Sequence, residues 1–422
     1  MPAAQGFRLS RKQRLSITCA STITVVAVTA LACADRDADR PAAATVKPPA
    51  VHTPSAVSTG SPSPSTTPTR AQHRADIAPT APLPGMPPIA APGNLYADAG
   101  ANMLNAATRH VPYRIYVPNS GASSVAVIDP RTMSVVRQFA AGLNPQHVVP
   151  AYDMRTLYAT NDRGNSLTPI NPRTARRAGP NIPVTDPYNM YFTPDGKHAI
   201  VVAEAQQALD FRNPHTFHLQ KRVNVSCPGV DHIDFSANGG YLIATCEFSG
   251  RLVKVNLHTL SVVGYLQLPN GSPQDIKLDP TGRIFYVADR YRGGVWMIRA
   301  STFHRIGFIT TGHDAHGLYP SRDARFLYVT NRLSGSVSVI SFATRKVVKV
   351  WHLPGGGSPD MGNTSPDGKV LWLAGRYNST VYAISTRNGH LIAKIPVGVQ
   401  PHGLCVWPQP GRYSLGHTGV TR

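Results

Sequence analysis

The chain has 422 residues, a formal net charge of +20, 38 Pro, 35 Gly and 5 Cys. So few cysteines exclude a disulfide-stapled scaffold, and two of them, Cys19 and Cys33, fall in the N-terminal segment. The positive charge favours acidic partners, but the arginines are dispersed over loops and no nucleic-acid-binding motif accompanies them, which argues against nucleic acid.

Arg8, Arg11, Lys12 and Arg14 precede an apolar run from Leu15 to Ala32 that closes on Ala30-Leu31-Ala32. A basic start, an apolar middle and an A-x-A close describe a secretory signal peptide over 1–32. Cleavage would expose Cys33, and the ALAC tetrapeptide resembles a lipobox, with Ala30 where that pattern prefers Leu or Val. Lipidation of Cys33, plain secretion and an uncleaved anchor stay open. The expected location is extracytoplasmic, secreted or lipid-anchored, with membrane contact only through such an anchor. Residues 33–93 are rich in Pro, Ala, Ser and Thr, as in PSAVSTGSPSPSTTPTR, and carry too little apolar surface to fold; they read as a disordered linker. Residues 94–113 form an N-terminal extension, a short helix or a strand lying on the domain that follows.

From Arg114 the same order of features recurs seven times, in the units 114–155, 156–197, 198–240, 241–283, 284–325, 326–369 and 370–412. Phe326 to Ile340, FLYVTNRLSGSVSVI, shows the unit most clearly: alternating apolar and polar residues, a polar break, then alternation again. Thr132, Thr174, Thr216, Thr259, Thr302 and Thr344 mark one turn at spacings of 42 or 43 residues, and Asn388 takes the same place in the last copy. About four short strands per copy at this period predict an all-β, seven-bladed β-propeller over 114–412 with four-stranded blades. The first unit enters on a second strand, so His402 to Trp407 should supply the missing first strand of the first blade, which removes free sheet edges. The tail after Trp407, including 413–422, is expected to lie on the surface or be disordered.

Tyr328-Val329-Thr330-Asn331 spells the YVTN repeat, and YVPNSGASSVAVID (116–129), YATNDRGNSLTPIN (158–171), YVADRYRGGVWMI (286–298), SPDGKVLWLAG (365–375) and IPVGVQPHGLCV (395–406) fit its consensus. The propeller resembles the YncE-like proteins of that family across all seven units. The resemblance implies an extracytoplasmic protein and a fold shared with lactonases, lyases and subunits of redox enzymes; it does not specify a reaction. Units 2 and 3 depart most, with Pro169 inside a strand and Ala205-Gln206-Gln207-Ala208 in place of a Ser-Gly loop.

In a propeller the first strand of each blade lines the central channel, and the loops at its start share one funnel mouth. The repeat phase places His147, Asn189, His232, Asp275, Gly317, Met361 and Gly403 at that mouth, preceded by Gln146, Tyr188, Asp231, Gln274, His316, Asp360 and His402. The ends of the second strands add Glu204, Glu247, Asp289, Arg290, Arg332 and Arg376. Ligand contacts are expected from His147, Asn189, Asp275, Arg290, Arg332, Arg376 and His402, the arginines suiting a carboxylate or phosphate. Asp231, His232 and Glu247 could hold a divalent cation, and His316 is a candidate acid or base. Against these stands the structural reading, in which polar residues at loop starts satisfy backbone groups.

Cys227 and Cys246 end neighbouring strands on the funnel side, so a disulfide is expected in an oxidising compartment; a soft-metal site of both thiolates with His232 is the alternative. Cys405 reads as a small buried residue. No nucleophile elbow, zincin, Walker or haem-attachment pattern occurs. The leading expectation is a non-enzymatic, monomeric binding or scaffold module whose funnel takes an unidentified protein or an anionic ligand. A metal-assisted lactonase or lyase and an accessory subunit of an envelope redox complex are the alternatives.

Overall fold

The computed structural model describes residues 81–422, within the compact unit Thr69–Arg422. The expected signal peptide, Cys33 and most of the linker lie outside the described residues. Seven antiparallel sheets form the blades. Blade 6 is typical: Ala315–Pro320 innermost, then Phe326–Asn331, Ser336–Ser341 and Lys346–His352. Its second strand is buried on both faces because Leu327 and Val329 pack toward blade 5 while Tyr328 packs toward blade 7. Burial falls outward, and the fourth strand is mostly exposed. The apolar cores therefore lie between blades, which is why each unit needs two neighbours.

The ring closes as the repeat phase requires. Cys405–Trp407 pairs with the first blade's Arg114–Asn119, in the register Tyr116↔Cys405, Ile115↔Val406 and Arg114↔Trp407. In blade 2 the fourth strand is split into Arg176–Arg177 and Ile182–Pro183, around a Gly179-Pro180 break whose proline has no N–H to offer the ladder.

The tail differs from expectation. Instead of lying on the surface, Ser414–Gly416 and Val420–Thr421 form a hairpin that adds to the channel edge of Asn189–Phe192, making blade 3 a six-stranded sheet. The His417 amide donates to the Met190 carbonyl at 2.9 Å. Leu415 is buried in the core with Tyr413, and His417 and Thr418 are fully buried. Gly416 makes the approach possible: its φ is +90°, and a Cβ there would stand 2.6 Å from the Met190 carbonyl oxygen. The free edge of an inner strand offers unpaired backbone groups, and this hairpin takes them up while filling the channel from the face bearing the Asp-Gly turns.

The residues before the first blade strap the same face. Leu83 is already buried, its amide donating to the Asn238 carbonyl at 2.9 Å, so the chain is docked ten residues before the expected end of the linker. Tyr96 donates to the Leu278 carbonyl at 2.6 Å, and a single 3-10 turn, Ala97–Ala99, follows. Asn105 holds the tail through its side-chain amide, which donates to the Gly411 carbonyl at 2.8 Å.

Candidate functional site

A repeated irregularity in the inner strands builds the hub. In blades 4 to 7 the ladder between first and second strands skips a residue, between Val230 and Ile233, Pro273 and Ile276, Ala315 and Leu318, and Pro359 and Gly362. Blade 2 shifts register between Pro145 and His147. Bulges bend a strand and re-aim its side chains, which turns Asp231-His232, His316 and Asp360 into the channel. Second-strand threonines take up displaced amides: Thr160 accepts from His147 at 3.1 Å, Thr245 from His232 at 3.0 Å and Thr330 from Gly317 at 2.7 Å.

Five imidazoles meet there: His147, His232, His316, His402 and, from the tip of the tail hairpin, His417. The His147 ring centroid lies 4.9 Å from that of His402, 5.4 Å from His417 and 5.6 Å from His232. His232 and His417 are 5.0 Å apart, and His316 is 5.9 Å from His402. All five are buried, and burial keeps them neutral: His147 is pushed down to about 3, against the pull of its bond to the Tyr188 carbonyl. The other four are held well below the usual imidazole range, first by burial and then by neighbouring cations and imidazoles.

Two triads bring ligand atoms within 4.8 Å of one another, His147–His232–His417 and His316–Asp360–His402. Imidazole nitrogens on one ion at 2.0–2.1 Å sit about 3.3 Å apart, so either set would have to contract by up to about 1.5 Å to close on an ion. The outer nitrogens are partly fixed already. His147 Nδ1 donates to the Tyr188 carbonyl at 3.0 Å, and His402 Nδ1 donates to Gln146 Oε1 at 2.7 Å, which leaves both Nε2 lone pairs facing the hub. The Asn189 side-chain amide lies between His232 Nδ1, at 3.2 Å, and His417 Nδ1, at 3.0 Å. With its NH2 group there it selects the tautomers protonated at Nε2; exchanging its O and N ends gives an acceptor for Nδ1–H, the arrangement a metal at Nε2 requires, at the expense of its bond to the Met190 amide.

Hydrogen bonding in the hub is incomplete. Nε2 of His147, His232, His402 and His417, Nδ1 of His316 and both oxygens of Asp231 and Asp360 are buried without a hydrogen-bond partner. Some face one another at ion-pair distance without hydrogen-bond geometry: His232 Nε2 and Asp231 Oδ1 at 3.1 Å, His316 Nδ1 and Asp360 Oδ1 at 3.0 Å. A buried polar group left unsatisfied costs ~1–3 kcal/mol, so this cluster is where a bound ion would stabilise the channel most. The carboxylate oxygens and the Nε2 atoms of His147 and His402 are acceptors, and an excess of acceptors is relieved by a cation. Burial is the main reason the Asp231 carboxyl lies well above the usual range, with Glu247 and Glu204 adding to it. Asp360 is raised to about 6, again by burial, against the opposing pull of Arg332 and Arg376.

The arginine side is arranged differently. Arg332 grips Asp314 with two hydrogen bonds, at 2.9 and 3.1 Å. Arg290 reaches Glu247 at 2.7 Å and Asp314 at 3.3 Å. Glu247 thus pairs with Arg290 while staying close enough to Asp231 to raise its carboxyl. Asp275 serves as a brace between blades, accepting from Lys277 Nζ and the Leu318 amide, both at 2.9 Å. Arg376 keeps a buried Nη1 without a hydrogen-bond partner. Cys227 and Cys246 form a disulfide with a Cα–Cα distance of 5.5 Å, and Cys405 is a buried free thiol.

Sequence reasoning placed His147, His232, His316 and His402 at the mouth but missed His417, whose tail lies outside the repeat, and the pairing role of Asp314. Asp360 was placed in the ring but not proposed as a ligand.

A family model for YncE-like β-propellers matches residues 74–410. The chain belongs to the YncE-like β-propeller family. No curated protein matches it. Among solved structures it is similar to Kuenenia stuttgartiensis hydrazine synthase, at 17% identity and TM-score 0.57, over 67% of this chain and 97% of that one. A functionally unknown protein from Desulfotomaculum acetoxidans matches at 13% identity and TM-score 0.60, over 69% and 98%. The dihydro-heme d1 dehydrogenase NirN matches at 14% identity and TM-score 0.53, over 80% and 82%. At these identities the likeness is one of fold.

Proposed function

We propose that this YncE-like propeller is a metal-binding module of the cell envelope. A divalent transition-metal ion is held by His147, His232 and His417, with Asp231 beside it and Arg376 offering Nη1 to a small anion on the ion's open side. The observation that carries this reading is the convergence of three buried imidazoles whose Nε2 atoms make no hydrogen bond. Neutral imidazole suits zinc, copper, nickel and iron, and a neutral ligand set leaves positive charge for an anion to meet. The envelope location is supported by the basic-then-apolar N-terminal pattern and the Pro-rich segment after it. His316 belongs to the neighbouring triad, so an acid or base role for it forms no part of this reading.

The test uses the full chain, purified without metal resin, equilibrated with Zn²⁺ and passed through a desalting column. At least one equivalent of zinc retained, and less in His232→Ala and His417→Ala, supports the reading. Retention below a tenth of an equivalent overturns it.

A second reading is favoured by the rim of the same mouth. Leu333, Tyr291, Phe248 and Tyr377 are 70%, 69%, 51% and 46% exposed and occupy one loop position in blades 6, 5, 4 and 7. An apolar rim around a polar hub suits a protein partner docked over the mouth. Replacing Tyr291, Leu333 and Tyr377 with Ser would then abolish a partner's co-purification while leaving metal content unchanged; unchanged co-purification would contradict it.

A further inference from the structure

We infer that the hub holds two metal ions, the second bound by His316, Asp360 and His402. Its dinuclear character rests on the reading that His147, His232 and His417 hold the first. The second triad is a set in its own right: two imidazoles and one carboxylate, a combination that takes a first-row divalent ion and leaves positions open for small ligands.

Three features of the structure point to it. Both oxygens of Asp360 are fully buried without a hydrogen-bond partner, although a carboxylate in such a place is ordinarily paired. His402 commits Nδ1–H to Gln146 Oε1, so its Nε2 lone pair faces Asp360 Oδ2 at 3.6 Å, while His316 Nδ1 faces Asp360 Oδ1 at 3.0 Å. A ligand held by a second hydrogen bond on its far nitrogen is the usual arrangement around a protein-bound metal. Arg332 Nη1 stands 3.6 Å from Asp360 Oδ1 without a hydrogen bond, while its Nε and Nη2 bond to Asp314, so it divides its charge between two carboxylates and leaves both Asp360 oxygens able to take a further ligand.

The two triads touch. His147 of the first lies 4.9 Å, centroid to centroid, from His402 of the second, and His232 lies 6.1 Å from His316. Two ions held by triads this close repel each other, so the second equivalent is expected to bind more weakly than the first. A small anion bridging them, beside the unpaired Nη1 of Arg376, would lower that repulsion.

The closing experiment is a titration of the metal-free full chain with Co²⁺, read by absorption in the visible and by calorimetry, on the wild type and on Asp360→Asn, His402→Gln and His417→Ala. Two equivalents in the wild type support the inference when one is lost in Asp360→Asn or His402→Gln and the other in His417→Ala. One equivalent that is lost in His417→Ala and untouched by Asp360→Asn overturns the second site and leaves the first standing. No binding overturns both. Even if a variant fails to fold, fewer than two equivalents in the wild type overturns the inference.

Discussion

On the blade 5 and 6 side of the hub, Arg332 and Arg290 meet Asp314 and Glu247 at hydrogen-bond distances of 2.7–3.1 Å. Beside and across from them, buried imidazoles and the carboxylates of Asp231 and Asp360 keep nitrogen and oxygen atoms that make no hydrogen bond. The matched groups sit at the ends of second strands and just before Ala315–Pro320, whereas most of the unmatched ones sit on the bulged first strands. The difference lies in whether acceptors are matched by donors. A matched sector braces the ring by itself; an unmatched one gains most from something bound, which is why the function is assigned to the histidine side.

The largest effect should come from breaking the matched sector. Asp314→Ala leaves Arg332 buried with less to hold it, and the cost should be ~3–5 kcal/mol, measured by denaturant unfolding. Loss below about 1 kcal/mol would mean the sector is not the brace described. Next comes the disulfide, which ends beside Glu247 and limits the loop carrying it. Replacing Cys227 and Cys246 together with Ser should cost about 3 kcal/mol, lost equally by the wild type on reduction.

The unmatched sector should respond less. Metal-free His232→Leu removes an Nε2 without a hydrogen bond but also the Nδ1 beside Asn189 and Tyr191, and the two effects should offset to within about 2 kcal/mol of the metal-free wild type. Zinc at a hundred times its dissociation constant should raise wild-type stability by ~2.7 kcal/mol and EDTA should reverse it, with His232→Leu responding to neither. The smallest effect belongs to the rim: Tyr291→Ser is expected to change stability by less than ~0.5 kcal/mol, since that ring is exposed.

The fold was legible because the turn threonines keep phase over six units, and phase alone located the inner strands, the closure by Cys405–Trp407 and four of the five histidines. What was not legible follows from interactions that the repeat does not encode. The tail hairpin pairs with the edge of Asn189–Phe192, whose unpaired backbone is a property of the assembled channel and not of any one unit. Glu247 and Arg290 stand 43 residues apart on adjacent blades, so the acidic and basic sectors of the text interlock in space. The skipped residues that re-aim Asp231, His316 and Asp360 leave no mark in the alternation of apolar and polar residues.

Anomalous X-ray scattering from crystals of the full chain grown with Zn²⁺, recorded on either side of the zinc edge, tests the central claim most directly. The account predicts a peak within about 2.1 Å of Nε2 of His147, His232 and His417. A map with no peak in the channel, or with zinc only on surface histidines, would contradict it.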